Sequence, residues 1–273
     1  MPWPKKTIVV GVGISQTDYT GVVEECRSWL DDPRCTKGES AAYICVTSVH
    51  GIISAVLDPA IRAILNRAFI ATSDGMPVVW AMRSFGVKSQ QRVYGPALML
   101  KLCAMAESDG RRVFLYGGRP EVLEQLRRNL TVRFPLLQIA DVYSPPFGPL
   151  SPVERDQIRQ RIQESRASIV FVGLSTPKQE RWMSENAKAL KGLVLIGVGA
   201  AFDFHAQVLK QAPAWMQNCG LEWAFRLLME PRRLWKRYLL VAPMFLPLWM
   251  LQRLGVLRYR VADSTATQGG IIQ

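Results

Sequence analysis

Ser168-Ile-Val-Phe-Val172 and Leu193-Val-Leu-Ile-Gly197 are unbroken apolar runs, and Lys178–Leu190 between them has the spacing of a helix. Strands that are apolar throughout, rather than alternating, are those buried on both faces, as in parallel sheets. The same alternation extends outward in both directions. Thr7–Val12, Ala42–Val46, Arg112–Tyr116 and Leu137–Tyr143 read as further strands. Gly21–Leu30, Ile52–Asp58, Pro59–Arg67, Ala97–Ser108, Pro120–Phe134 and Ser151–Ser165 read as helices. Val122, Leu123, Leu126, Leu130 and Phe134 share one helix face. Asp31–Ser40 and Ser144–Pro149 are polar or rich in Pro and Gly, and are loops. Strands alternating with helices predict an α/β, Rossmann-like fold with a largely parallel sheet flanked by helices.

Open sheets of this kind bind ligands outside the carboxyl ends of their strands. Thr47, Asp74, Gly117-Gly118, Gly173–Gln179 and Gly197–Asp203 all fall at that edge. In Thr72-Ser-Asp-Gly-Met-Pro-Val-Val-Trp80 a single carboxylate, Asp74, occupies the turn between a buried segment and a helix start. Such a carboxylate serves either as a general base or as a helix N-cap. Gly117-Gly-Arg-Pro120 closes a strand and opens a helix, which suits either a phosphate or a simple tight turn. Lys178, Gln179 and Arg181 crowd the first turn of a helix, where cations are unfavourable unless they face an anion or solvent. The small residues Gly197, Gly199 and Ala200 allow a ligand close approach, with Phe202 beside them. Asp203 is suited to hydrogen-bond a ribose or base, or to cap a helix.

Composition narrows the field. The chain has 273 residues, 49% of them hydrophobic, enough for a large core. A formal net charge of +12 favours anionic partners: nucleic acid, nucleotide phosphates or an anionic membrane. The five cysteines are scattered and include no Cys-x-x-Cys pair, which argues against a disulfide framework or zinc knuckle and for a reducing cytosol. The two histidines, His50 and His205, have no metal-ligand spacing, and no Asp-x-Asp motif or serine elbow is present. The first ten residues lack the apolar core and cleavage site of a signal peptide, so export is not expected.

The C-terminal part differs in character. Leu221–Leu257 interleaves Trp223, Phe225, Trp235, Tyr238, Phe245 and Trp249 with Arg226, Arg232, Arg233, Lys236, Arg237 and Arg253. Its apolar run Leu239–Leu251 is too short to span a bilayer and carries two prolines. Basic and aromatic residues beside an apolar face suit an anionic membrane surface; packing on the core is the alternative. The expected organisation is an α/β domain over 1–220, a helical appendage over 221–260 and a disordered tail over 261–273.

Taken in order, these motifs resemble the WecG/TagA/CpsF bacterial glycosyltransferases, glycosyltransferase family 26. The likeness covers nearly all of residues 7–240. It rests on Thr47, Thr72–Trp80, Gln91-Arg-Val-Tyr-Gly95, Phe114-Leu-Tyr-Gly-Gly118, Gly173-Leu-Ser-Thr-Pro-Lys-Gln-Glu-Arg-Trp182 and Gly197–Asp203. The resemblance implies transfer of a hexose (glucose, N-acetylmannosamine or its uronic acid) from a UDP-sugar to a polyprenyl-pyrophosphate-linked saccharide. Inversion would give a β-linkage, in bacterial surface polysaccharide or exopolysaccharide synthesis. It further implies a cytoplasmic protein, peripheral on the inner face of the cell membrane, that needs no metal or other cofactor.

By position, Asp74 is the implied base, Thr47 and Gln179 line the reaction centre, and Arg92 meets a phosphate. Gly197–Asp203 would hold the nucleotide, with Gly117, Gly118 and Lys178 at the same edge, and Arg232 and Arg233 would share the diphosphate. Ser73, Ala97, His205 and Gln207 depart from the family pattern; Gly is common among relatives at position 207. The competing reading is a non-enzymatic nucleotide or nucleic-acid binding module. A nucleic-acid partner is not expected, because the cations gather beside an apolar run and no RNA-binding signature occurs. A homo-oligomer remains open on sequence grounds.

Overall fold

A computed structural model describes residues 4–33, 38 and 40–259. The expected tail over 261–273 lies outside them. The first expected strand, Thr7–Val12, is instead an antiparallel hairpin of β1 (Lys6–Val9) and β2 (Val12–Ser15). Val10 and Gly11 reverse the chain at φ 50° and 82°, a left-handed turn that the apolar run conceals.

The remaining strands are β3 (Ala42–Thr47), β4 (Ile70–Ser73), β5 (Arg112–Gly117), β6 (Gln138–Tyr143), β7 (Ile169–Gly173) and β8 (Val194–Gly197). They form a six-stranded sheet in the order β4-β3-β8-β7-β5-β6. Every pair in it is parallel. The runs at 168–172 and 193–197 supply the adjacent interior strands β7 and β8, in register at Val170 and Leu195.

Alternate side chains along each strand serve two separate cores. Cys45, Val170, Val172 and Leu195 pack under helices that include Val49–Leu57, Pro59–Arg67, Met76–Ser84 and Lys178–Asn186. Ile44, Leu115, Phe171 and Ile196 pack under Tyr19–Asp31, Gly95–Ser108, Pro120–Arg133 and Ala201–His205. The helix after β3 therefore lies on one face and the helix after β8 on the other. That divergence opens a crevice at the carboxyl ends of neighbouring strands.

The chain after Gly220 is helical, in short pieces: Glu222–Met229, Pro231–Trp235, a π-helical turn over Lys236–Val241, and Phe245–Arg253. It folds back on the helices beside the sheet and joins one of the two cores. Phe245 is buried in the core, and the Trp249 indole donates to Ser84 Oγ at 3.0 Å. The Gln252 side chain donates to Ile8 O at 2.8 Å and accepts from Val10 N at 2.7 Å, tying the segment to the hairpin. Among the described residues no helix is long and apolar enough to cross a membrane.

Candidate active site

β4 ends at Ser73, and the next residue, Asp74, is held by its backbone N–H donating to Thr47 O at 2.9 Å. Gly75 then turns the chain at φ 98° into the helix Met76–Ser84, with Pro77 in its first turn. Gly75 itself occupies the capping position, and no side chain caps that helix. Asp74 is thus not used as a cap. Its Oδ1 is buried without a hydrogen-bond partner, and 23% of its side-chain surface remains exposed.

Buried Ser73 explains how Arg92 reaches the site. The Ser73 hydroxyl donates to Gln91 O at 2.9 Å, and Ser73 O accepts from Val93 N at 2.9 Å. This pins the 90–93 loop against β4. Arg92 Nη2 then stands 3.5 Å from Asp74 Oδ1 and donates to Glu222 Oε2 at 2.5 Å. Its guanidinium lies 4.3 Å above the Tyr94 ring.

The appendage closes over this corner. A narrow cavity of about 100 Å³ is lined by Ser48, His50, Asp74, Arg92, Glu222, Arg226 and Arg237, among others. Arg237 donates to Ser48 Oγ at 3.4 Å, and Arg226 stacks 5.6 Å from the Phe204 ring. Among the described residues, neither arginine has a carboxylate within ion-pair distance. Two uncompensated guanidiniums turned toward one cavity are expensive unless an anion joins them.

Burial pushes the Asp74 carboxyl up to about 6; Arg92 opposes the shift and Glu222 adds to it. The His50 imidazole is pushed down to about 4 by burial and by Arg237, and so is neutral near pH 7. Asp74 therefore combines a proton affinity near neutrality with an oxygen that accepts no hydrogen bond and has only the Arg92 guanidinium, 3.5 Å away, as its ionic neighbour. Those are the properties of a general base, set beside guanidinium groups chemically suited to an anion.

A family model described as the glycosyl transferase WecG/TagA/CpsF family matches residues 7–259. The chain belongs to this family. Like its relatives, this WecG/TagA/CpsF glycosyltransferase acts on a sugar donor and an acceptor.

The other residues singled out in the sequence of this glycosyltransferase lie in distinct surroundings. Thr47 is buried, its hydroxyl donating to Cys45 O at 3.2 Å, and its carbonyl is what holds Asp74. Gln179 is buried beneath Gly197, where a Cβ would come within 2.9 Å of its Nε2. It donates to Glu180 Oε1 at 3.1 Å, and its Oε1 has no partner. Gly199 adopts φ 55° and Ala200 is half-buried at the mouth of β8.

Phe202 is buried, with its ring against Gly173 and Gly118. Gly117, at φ 111°, lies so close to Gly173 that a Cβ would meet its backbone at 2.8 Å. The Gly-Gly pair thus has a packing reason as well as any ligand reason. Asp203 is half-buried, its carboxyl raised by burial while Arg233, Arg119 and Arg226 pull the other way. Lys178 is exposed, and Arg181 ion-pairs with Asp58. Arg232 and Arg233 are exposed, and Arg233 pairs with Glu230 at 2.6 Å.

Sequence reasoning passed over Ser48, His50, Glu222, Arg226 and Arg237 as members of the Asp74 corner. Ser48 and His50 flank the motif residue Thr47 and were within reach. Glu222 had no local signal. Its role comes from a tertiary contact spanning 130 positions.

Proposed function

We propose that this glycosyltransferase is an inverting enzyme that moves a hexose from a UDP-sugar to a polyprenyl-pyrophosphate-linked saccharide in bacterial surface polysaccharide synthesis. The observation that carries this reading is the Asp74 corner: a carboxylate without a hydrogen bond to its Oδ1, its pKa raised to about 6, ion-paired with Arg92 at 3.5 Å and sharing its cavity with Arg226 and Arg237. Asp74 takes the proton of the acceptor hydroxyl. The oxygen attacks the anomeric carbon from the side opposite the diphosphate, the new C–O bond forms, and the bond to phosphate breaks with its electrons leaving on UDP. Inversion of an α-linked donor gives a β-linkage.

Charge on the departing diphosphate is met by guanidiniums, each able to donate two parallel hydrogen bonds to phosphate oxygens. Arg226 and Arg237 lead in this role with Arg92 beside them; Arg232 and Arg233, exposed and outside the cavity lining, have a lesser share. Thr47 and Gln179 shape the reaction centre, and Gly197–Asp203 with Gly117, Gly118 and Lys178 holds the nucleotide. On this account the enzyme works without a metal.

The enzyme sits on the inner face of the cell membrane through its appendage. Leu239, Leu240, Leu246 and Met250 are exposed there, in the same segment as Arg232, Arg233 and Lys236. Apolar side chains beside cations suit an anionic lipid interface.

Acceptor-dependent UDP release, measured over a panel of UDP-sugars and synthetic polyprenyl-pyrophosphate glycans with and without EDTA, tests the reading. One pair should turn over, insensitive to EDTA. Loss of turnover with EDTA would replace the arginine account of the leaving group by a metal. Absence of turnover across the panel, with oligonucleotide binding instead, would favour a binding module.

A further inference from the structure

Two aromatic rings beside the Asp74 corner belong to neither hydrophobic core. Tyr94, just before the helix Gly95–Ser108, and Phe204, in the helix Ala201–His205, are both buried, yet neither is among the residues that build the two cores. Both border a cavity of about 570 Å³, where a core side chain would be packed on all sides. What each ring does meet is a cation. The Arg92 guanidinium carbon stands 4.3 Å from the centroid of the Tyr94 ring, and that of Arg226 stands 5.6 Å from the Phe204 ring. Both distances lie within reach of cation–π attraction, which strengthens where water is excluded.

The two arginines have little else to hold them. Among the described residues, the Arg92 side chain makes its hydrogen bond and ion pairs through Nη2 alone, to Asp74 and Glu222. Its Nε is buried without a partner. Arg226 makes no side-chain hydrogen bond or ion pair among those residues, and its Nε is likewise buried and unpartnered. A guanidinium carries its N–H donors in a fixed fork. Holding it with carboxylates or carbonyls would use those donors. A ring face attracts the charge and uses none, so the fork stays open for an anion. The Tyr94 ring has its own anchor, because the Tyr94 backbone N–H donates to the Tyr19 hydroxyl at 3.0 Å. The Tyr94 hydroxyl is buried without a partner, and burial pushes its ionisation upward, so the ring stays neutral. The hydroxyl anchors nothing, which leaves the ring face as the part that acts.

We propose that Tyr94 and Phe204 are positioning residues of the transferase, whose ring faces hold Arg92 and Arg226 at the Asp74 corner while leaving their guanidinium forks free for the anionic part of the substrate. The inference rests on the transferase reading for the identity of that anion; the placement of Arg92 beside Asp74 does not depend on it. Loss of the Tyr94 ring leaves Arg92 to the closer of its two carboxylates, Glu222 at 2.5 Å rather than Asp74 at 3.5 Å. Asp74 then loses a neighbouring cation, and its affinity for a proton rises. Besides Arg92, the charged groups that face Asp74 are Glu222, Arg226 and Arg237. The titratable groups His50, Tyr19, Tyr94 and Tyr238 complete its surroundings.

Titration of the Asp74 carboxyl by carbon NMR on the full chain, with and without Arg92, tests the role. Tyr94→Leu should raise the midpoint by at least about half a pH unit, and Tyr94→Phe, which keeps the ring, should stay within about 0.2 of the wild type. In an Arg92→Gln background, Tyr94→Leu should add less than about 0.2. A merely loosened fold would move Asp74 in both backgrounds, so the comparison stands even where the leucine variant melts lower. UDP affinity by calorimetry is the second readout: Tyr94→Leu and Phe204→Leu should each weaken it at least about threefold, and Tyr94→Phe should not. An Asp74 midpoint unmoved by Tyr94→Leu, an equal shift with and without Arg92, or a phenylalanine variant that behaves as the leucine variant overturns the proposal. So does UDP affinity untouched by both leucine variants. The expected Asp74 shifts in a wild-type protein that fails to bind UDP would sink the transferase reading and leave the positioning role standing. Acceptor-dependent UDP release with Asp74 unmoved by Tyr94→Leu would sink the positioning role alone.

Discussion

Arg92 is bonded to Glu222 at 2.5 Å across 130 positions of chain, while the same guanidinium nitrogen stands 3.5 Å from Asp74. An arginine pinned by the catalytic domain is thereby divided between the candidate base and the appendage. Glu222 draws Arg92 away from Asp74 and adds its own negative charge nearby, and both effects hold the Asp74 pKa up.

The substitution Glu222→Gln removes that charge and frees Arg92 for Asp74. The Asp74 pKa falls, so the acidic limb of a kcat/KM–pH profile moves to lower pH. Arg92→Gln moves it the other way. A profile unmoved by either variant would separate the limb from Asp74.

Asp74 also carries a stability cost of definite sign. Its folded pKa of about 6 lies above the ordinary value of 3.8, so folding disfavours the charged form. The native state binds more protons than the unfolded state between those values, and stability drops as pH rises through that window. Asp74→Asn should therefore stabilise the free enzyme by on the order of 2–3 kcal/mol at pH 8. Near pH 4 the gain should vanish. Thermal melts of both proteins at the two pH values check this, and a variant less stable at pH 8 would contradict it.

At Gly117 the φ of 111° and a Cβ-to-backbone approach of 2.8 Å leave no room for a side chain. Gly117→Ala should cost ~2–4 kcal/mol of folding stability in urea melts, with or without UDP, because it forces β5 away from β7. A destabilisation appearing only in the bound state would instead give Gly117 a purely ligand-binding role.

The proposed membrane contact can be tested apart from the chemistry. Leu239 and Leu240 are more than half exposed, at 54% and 57%, and pack little against the first domain. Leu239→Gln with Leu240→Gln should weaken binding to anionic liposomes about tenfold, through lost apolar burial. Turnover of a short-chain, water-soluble acceptor should be retained. Equal liposome binding by the variant would move the membrane contact elsewhere.

Local order was readable where a short-range rule governs. The apolar runs at 168–172 and 193–197 became the interior strands β7 and β8, and Gly75 and Pro77 marked the turn beyond Asp74. The hairpin at Lys6–Ser15 was not readable, because Val10 takes a left-handed φ that no residue preference announces. Phe202 read as ligand lining from Gly197, Gly199 and Ala200 beside it in the sequence; the structure shows in addition that two distant glycines, Gly173 and Gly118, lie against its ring. Glu222, Arg226 and Arg237 read only as part of a basic, aromatic segment. Folding alone brings them onto Asp74.

Asp74 is the proposed base of the glycosyl transfer. Its most direct test is acceptor-dependent UDP release by the wild type and by Asp74→Asn, with UDP affinity measured on the same samples. A general base contributes ~10²–10⁴-fold, so turnover should fall by that factor while UDP affinity changes less than about threefold. An Asn variant that turns over at the wild-type rate would contradict the claim.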